Sequence, residues 1–155
     1  MTQPANNQQG PQGPQGQDDL TISVIVTIKR EDIFSLLVSA LEGGSNYWVD
    51  IPLFGYKANQ PTEWVFVSDP DYVQRTGKHF LAEIPLNPGG EVFLVDKERD
   101  DDGVMTLNWE AIKKGFAIMA EKYPQHMADF LNGNADAITG DVFLQCCLLG
   151  EITYS

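Results

Sequence analysis

The chain has few of the residues on which cross-linked and metal-stabilised folds depend. It contains two cysteines and two histidines in 155 residues. Cys146 and Cys147 are adjacent, and a disulfide between neighbours would need a ring far tighter than the usual Cα separation allows, so we expect free thiols. His79 and His126 are isolated, which leaves no ligand spacing typical of zinc. We therefore expect no disulfide, no metal and no cofactor.

Long apolar runs are also absent. No stretch approaches the roughly 18 apolar residues that a membrane span requires, so we expect no membrane association. The N-terminus lacks the basic start and apolar segment of a secretory signal, which predicts residence in a cytoplasm. The first 17 residues carry no charge and no aromatic ring. We therefore expect a disordered Gln/Pro/Gly-rich tail over residues 1–18 and a single domain over residues 19–155.

Positive charge is scarce as well. Ten Lys and Arg stand against 22 Asp and Glu, a net charge of −12 carried entirely from Asp18 onward. Such a field repels phosphates, which disfavours direct binding of nucleic acid. It attracts a protein with a basic surface, although solubility alone would also explain it. Asp100, Asp101 and Asp102 form the densest negative site and are our candidate protein-binding residues.

The apolar pattern that is present predicts an α+β fold. Strict alternation over residues 20–29 is typical of a half-buried strand, and helical spacing over residues 32–41 predicts a helix that stops at Gly43 and Gly44. We expect a mostly antiparallel sheet with about three to four helices packed on one face. The further predictions are extended segments at 46–54 and 64–67, a hairpin of 80–86 with 91–95, helices capped by Thr106 and Thr139, a short helix around 127–131, and strand spacing at Ile152 and Tyr154.

One run is more specific than these periodicities. Ala40-Leu41-Glu42-Gly43-Gly44-Ser45-Asn46-Tyr47-Trp48-Val49 joins a helix end to a paired-glycine turn and two adjacent aromatic residues. It resembles the ALEGG-x-NYW signature of small uncharacterised proteins encoded by tailed bacteriophages and prophages, and residues 107–115 and 141–151 resemble later helices of that group. The resemblance covers about half of the chain. It implies a phage-type origin and the cytoplasm of a bacterial host, and it transfers no functional residue.

The same turn has two interpretations. Its backbone N–H groups, polar side chains and stackable rings could hold a small ligand or a nucleotide. The alternative is a glycine that ends the helix, followed by aromatic rings packed in the core. The candidates for ligand binding are Gly43, Gly44, Ser45, Asn46, Tyr47 and Trp48.

Motifs of known chemistries are missing or incomplete. The sequence has no G-x-S-x-G elbow, P-loop, dinucleotide fingerprint or H-E-x-x-H. The two cysteines lie among apolar residues and are expected to be inert core thiols. Glu98, Asp100 and Asp102 follow alternate positions of a calcium loop, but its closing carboxylate is replaced by Trp109, which favours a solvated acidic loop.

The sequence therefore favours a protein that is not an enzyme. The charge and the resemblance together predict an acidic accessory protein that binds a host or phage macromolecule, with inhibition of a host defence as one such role. The alternatives are a small-ligand or nucleotide-binding module that uses the turn at residues 43–48, and a virion-associated structural protein that uses the Gly-Pro-Gln tail. The oligomeric state stays open.

Overall fold

Five α-helices and a four-stranded sheet are found in the part of the chain that the computed structural model describes, residues 22–57, 64–66, 80–99 and 103–155. This is the predicted α+β fold. In chain order the elements are α1 (Arg30–Ser39), a π-helical turn (Ala40–Gly44), β1 (Val49–Lys57), β2 (Trp64–Phe66), α2 (Phe80–Glu83), a 3₁₀ turn (Ile84–Leu86), β3 (Gly90–Asp96), β4 (Val104–Leu107), α3 (Trp109–Lys122), α4 (Pro124–Leu131) and α5 (Ala137–Leu148).

The sheet is antiparallel, with strand order β2-β1-β3-β4. β1 pairs with β3 from Val49 opposite Asp96 onward, and the register shifts between Asp50 and Leu53. Pro52 lies within that shift, where its missing N–H cannot support a regular ladder. Along β3 the side chains alternate between buried and half-buried, so one face of this strand, with Val92 and Leu94, points into the core.

The helices cover that face and share one core with it. The central helix is α5, whose residues from Thr139 to Cys147 are all buried. A helix that is apolar on every side must be surrounded by other elements. The ring of Phe143 packs 4.4 Å, centroid to centroid, from Phe116 in α3, which lies 5.1 Å from Phe130 in α4. Full burial of one such large apolar side chain contributes roughly 1.5–3 kcal/mol.

The alternating segment before α1 is not a strand in the described residues. Residues 22–29 form neither helix nor strand. Ile22, Val24 and Ile25 are 73%, 74% and 96% exposed. The prediction of a half-buried strand is therefore wrong here, because alternation gives a strand its pattern but supplies no partner. The rest of that prediction and the N-terminal tail, residues 1–21, lie outside the described residues.

The predicted hairpin of 80–86 with 91–95 is also wrong. Residues 80–83 are helical and Ile84–Leu86 form a 3₁₀ turn with Pro85 near its start. Proline fits the first turn of a helix, where no N–H is required, and interrupts a strand. β3 instead pairs with β1 and with β4, a four-residue strand that the sequence pattern did not indicate.

Two helices begin at residues other than the predicted caps. Thr106 lies in β4, and Asn108 caps α3 by accepting the Ala111 N–H at 3.0 Å. Asp136 caps α5 by accepting the Thr139 N–H at 2.9 Å, so Thr139 lies inside the helix that it was predicted to cap. Asn and Asp are better N-caps than Thr. Asn108 lies two residues after Thr106, and Asp136 lies three residues before Thr139. The same backbone hydrogen bond lowers the pKa of Asp136.

Candidate functional site

The turn at residues 45–48 closes on one carboxylate, that of Asp141 in α5. Oδ1 accepts the Ser45 hydroxyl and the Trp48 indole N–H, both at 2.7 Å. Oδ2 accepts the Tyr47 hydroxyl and the Gln145 amide, both at 2.9 Å. A carboxylate offers about four acceptor positions, and here all of them are filled. We call these five residues the Asp141 network.

Four of the five residues of the Asp141 network are buried, and Tyr47 is the exception. Asp141 is 8% exposed, while Ser45 and Trp48 are 1% and 0% exposed. Its four donors are all neutral groups. Burying a carboxylate costs several kcal/mol unless hydrogen bonds replace the lost water, and these donors supply that replacement.

Two glycines let the turn approach α5 at backbone distance. A Cβ on Gly44 would collide with the Ala137 carbonyl, and one on Gly140 would lie 2.7 Å from the Ala40 nitrogen. Gly43 and Gly44 do not adopt a positive φ. The helix ends here as predicted, but through a π-helical turn in which the Ser45 N–H donates to the Ala40 carbonyl at 2.9 Å, and not through a left-handed glycine.

Gln145 extends the network to the C-terminal residues. Its buried amide donates to the Tyr154 carbonyl at 2.9 Å and accepts the N–H groups of Thr153 and Tyr154 at 2.7 and 2.8 Å. The side chain thus gives this segment the hydrogen bonds that a neighbouring strand would give. The strand predicted at Ile152 and Tyr154 is therefore wrong, since its partner is a side chain.

A second buried carboxylate lies at the other end of this segment. Asp96, 2% exposed at the end of β3, accepts the Tyr154 hydroxyl at 2.8 Å and the Glu98 N–H at 3.0 Å. The Tyr154 ring stacks on Trp48 with centroids 5.3 Å apart. Tyr154 and Trp48 therefore join Asp96 to Asp141.

Tyr47 and Tyr154 each donate a hydrogen bond to one of the two buried carboxylates. Burial, and then donation to Asp141, raises the pKa of Tyr47 to about 12. The hydrogen bond to Asp96 raises the pKa of Tyr154. A phenol with a raised pKa keeps its proton at neutral pH. Because the acceptor positions on Asp141 are already filled, this carboxylate is suited to fixing the turn and not to taking a proton from a substrate.

The structure brings some of the predicted ligand-binding residues together and leaves others apart. Trp48 and Ser45 lie in the core, as the second interpretation of the turn expects, and Tyr47 is 46% exposed. Asn46 is exposed and donates to the Glu42 carbonyl at 3.3 Å. Gly43 is exposed with nothing within 4 Å of a Cβ. Ligand binding by the turn stays a prediction. Asp141 was missed because it lies 93 residues after Trp48; the available signal was one acid in an apolar helix.

A surface cleft lies elsewhere, between the turn before β3 and the start of α3. Its volume is about 490 Å³, and the side chain of Trp109 on its wall is 42% exposed. Its charged residues among those described are Glu91 and Glu110. We call it the Trp109 cleft; its lining is Leu86, Asn87, Pro88, Gly89, Gly90, Glu91, Asn108, Trp109 and Glu110.

The acids of the Trp109 cleft are at least partly exposed. Within the described residues, Glu91 accepts a hydrogen bond from the Asn108 amide at 3.4 Å. Glu110 pairs with Lys113 at 2.7 Å, and the two side chains are 76% and 55% exposed. Arg30, beside the cleft, is already engaged, since its guanidinium donates to the Leu86 carbonyl and to Asn87. The cleft therefore combines an aromatic wall with solvent-accessible carboxylates.

Comparison with family models, with curated proteins and with solved structures finds no match for this chain. The resemblance to the phage group stays a prediction, as do the origin and the host cytoplasm inferred from it.

The other candidate residues are distributed as follows. Asp100, Asp101 and Asp102 lie outside the described residues, as does His79. Within the described ranges, no group of three His, Cys, Asp or Glu side chains could hold a metal ion. None of the helices seen there is long and apolar enough to cross a membrane.

The two cysteines are free and buried, as predicted. Burial raises the pKa of Cys146 to about 11 and that of Cys147 well above its ordinary value. Since the thiolate is the nucleophile, such thiols are unreactive near neutral pH. The buried Nδ1 of His126 has no hydrogen-bond partner among the described residues, which include both cysteines, so neither cysteine is paired with that nitrogen.

Proposed function

We propose that this protein is a non-enzymatic, acidic accessory protein of phage type that binds a basic surface of a host or phage macromolecule, and that the Trp109 cleft anchors the contact. The observation that supports this most is the exposed Trp109 ring beside Glu91 and Glu110. Inhibition of a host defence protein is the role that we propose for such a contact.

The chemistry of the cleft fits a cationic side chain. A guanidinium or ammonium group stacks favourably on the face of an indole, and a nearby carboxylate adds a charge-assisted hydrogen bond. Trp is also enriched among the few residues that dominate binding energy at protein interfaces. The net charge of −12 would speed the encounter with a basic partner, so long-range attraction and the local anchor act in the same direction.

The predicted acidic site and the described lining of the cleft consist of different residues. β3 and β4 are antiparallel, with Val92 opposite Leu107 and Val95 opposite Val104. The Trp109 cleft lies at the end of this pair where β3 begins, whereas Asp100, Asp101 and Asp102 lie outside the described residues, between β3 and β4 in the sequence. Mutations at the two places therefore test two different contacts.

The experiment measures binding of a hexa-arginine peptide to the full chain by calorimetry at low salt and at about 0.5 M salt, where surface charges are largely screened. We expect Trp109→Ala to weaken binding by about threefold to thirtyfold, the range of a cation–π contact. Glu121→Gln, an exposed acid in the last turn of α3, is the matched control and should change little.

A pull-down from bacterial lysate with wild type, Trp109→Ala and a charge reversal of Asp100, Asp101 and Asp102 then identifies the partner. A basic protein lost from the Trp109→Ala sample supports the proposal. Binding that ignores salt and is unchanged by Trp109→Ala contradicts it. A partner lost only with the Asp reversal would move the contact to the β3–β4 connection.

A further inference from the structure

Residues 22–28, which we call the Ile25 segment, combine an apolar sequence with a position in solvent. Five of the seven residues are Ile or Val and the other two are Ser23 and Thr27. Ile22, Val24, Ile25 and Val26 are 73%, 74%, 96% and 45% exposed. Contiguous exposed apolar groups on a protein surface are typical of an interaction site.

The segment has the sequence of a strand but pairs with no strand among the described residues. It contains no charge, no proline and no glycine, and β-branched residues favour strands. No backbone hydrogen bond joins residues 22–28 to the described residues. Ile28 packs against the core just before α1 begins at Arg30, so the segment is anchored to the body at that end. Unpaired backbone in such a sequence is a template for pairing with another chain.

The order of residues is nearly symmetric about Ile25. Val24 and Val26 flank it, Ser23 and Thr27 follow, and Ile22 and Ile28 come next. In an antiparallel pair of two such segments centred on Ile25, each Val would lie opposite a Val, each hydroxyl opposite a hydroxyl, and each Ile opposite an Ile. Cross-strand pairs of β-branched or of hydroxyl side chains stabilise a sheet.

We propose that the Ile25 segment pairs with the same segment of a second copy of this chain, antiparallel and centred on Ile25, to form a dimer with twofold symmetry. Such an interface must be self-complementary, and this sequence is. The net charge of the chain also favours the Ile25 segment as the interface. Two chains of net charge −12 repel each other, and the segment is an uncharged run through which they can approach.

The first test is disulfide cross-linking of the full chain. Ile25→Cys would face its own copy, at a Cα separation of about 4.5–5.5 Å, which a disulfide spans. Thr27→Cys is the matched control, because it would face residue 23 and lie about 13 Å along the strand from its own copy. Cys146 and Cys147 are buried and stay out of the reaction. We expect a covalent dimer when Ile25→Cys is the only variant present. We also expect one when Ser23→Cys is mixed with Thr27→Cys, but none from Thr27→Cys by itself.

The second test is a charge exchange followed by sedimentation over a concentration series. Ile25→Lys and Ile25→Glu should each weaken the dimer by at least about tenfold, because like charges would lie opposite each other. Their mixture should restore it. A monomeric wild type, open-ended assemblies, equal cross-linking of Ile25→Cys and Thr27→Cys, or a mixture that stays monomeric would each overturn the proposal. Ile25 is 96% exposed, so these variants should remain folded, which near-UV circular dichroism checks.

Discussion

The Asp141 network and the Ile25 segment reverse the usual places of polar and apolar residues. A carboxylate, a hydroxyl and an amide lie buried in the first. The second contains the three most exposed large aliphatic side chains of the described residues, Ile22, Val24 and Ile25. The two regions differ in the number of hydrogen-bond partners that the described residues provide. The Asp141 carboxylate has four donors, whereas the described residues offer the backbone of residues 22–28 no hydrogen bond. Burial here follows from satisfied contacts more than from residue type.

The largest effect should come from breaking the Asp141 network. Asp141→Ala would leave four donors without this acceptor, three of them buried, and we expect the free energy of unfolding to fall by about 3–5 kcal/mol. Asp141→Asn keeps the shape but replaces one acceptor oxygen with a donor, so its loss should be smaller. Urea denaturation measures both. Glu121→Ala, at an exposed position, is the control, and a loss for Asp141→Ala no larger than for this control would show that the network contributes little.

Substitution of the paired glycines Gly43 and Gly44 should give the next largest change in the free energy of unfolding. Gly44→Ala places a Cβ against the Ala137 carbonyl and should reduce the free energy of unfolding by about 1–3 kcal/mol. Gly43→Ala meets nothing within 4 Å and needs no positive φ, so it should be neutral or stabilising by up to about 1 kcal/mol. Thermal denaturation of the two variants compares neighbouring positions in one turn. Equal losses would contradict the close approach of the turn to α5.

A smaller effect concerns the pH range in which the network holds. The pKa of Tyr47 rises from its ordinary 10 to about 12 in the folded protein. Its contribution to stability is therefore fully present below pH 10 and is lost as pH rises through 12. Denaturation at pH 8 and at pH 11, with wild type and Tyr47→Phe, isolates this contribution. The difference between the two proteins should shrink at the higher pH, and a constant difference would contradict the hydrogen bond to Asp141.

What the sequence could predict follows from the range of the interactions involved. α1, α3, α4 and the strands at 49–57, 64–66 and 90–96 arise from local periodicity and turn residues, and the sequence indicates them. The N-caps Asn108 and Asp136 are also local features of the sequence, because Asn and Asp are stronger N-cap residues than Thr. The predicted hairpin of 80–86 with 91–95 is wrong because Pro85 interrupts a strand and fits a helical turn.

The candidate site was less predictable, because its partners are distant in sequence. The turn at 43–48 is evident from its residues, but Asp141 lies 93 residues after Trp48 and Asp96 lies 58 residues before Tyr154. The Trp109 cleft likewise depends on the turn at 87–90 meeting the start of α3. Only the fold shows which polar side chains form hydrogen bonds inside the protein and which remain exposed.

The smallest expected effect is the sharpest test of the comparison. Ile25→Ser removes a large aliphatic side chain that is 96% exposed, so at low concentration, where the chain is monomeric, the free energy of unfolding should change by less than about 0.5 kcal/mol. A buried isoleucine would lose several times more. Urea denaturation of dilute wild type and Ile25→Ser measures the difference, with Ile112→Ser in the core as the matched contrast. A loss near that of Ile112→Ser would mean that the segment packs on the body of its own chain. No loss would confirm that the Ile25 side chain has no partner within one molecule.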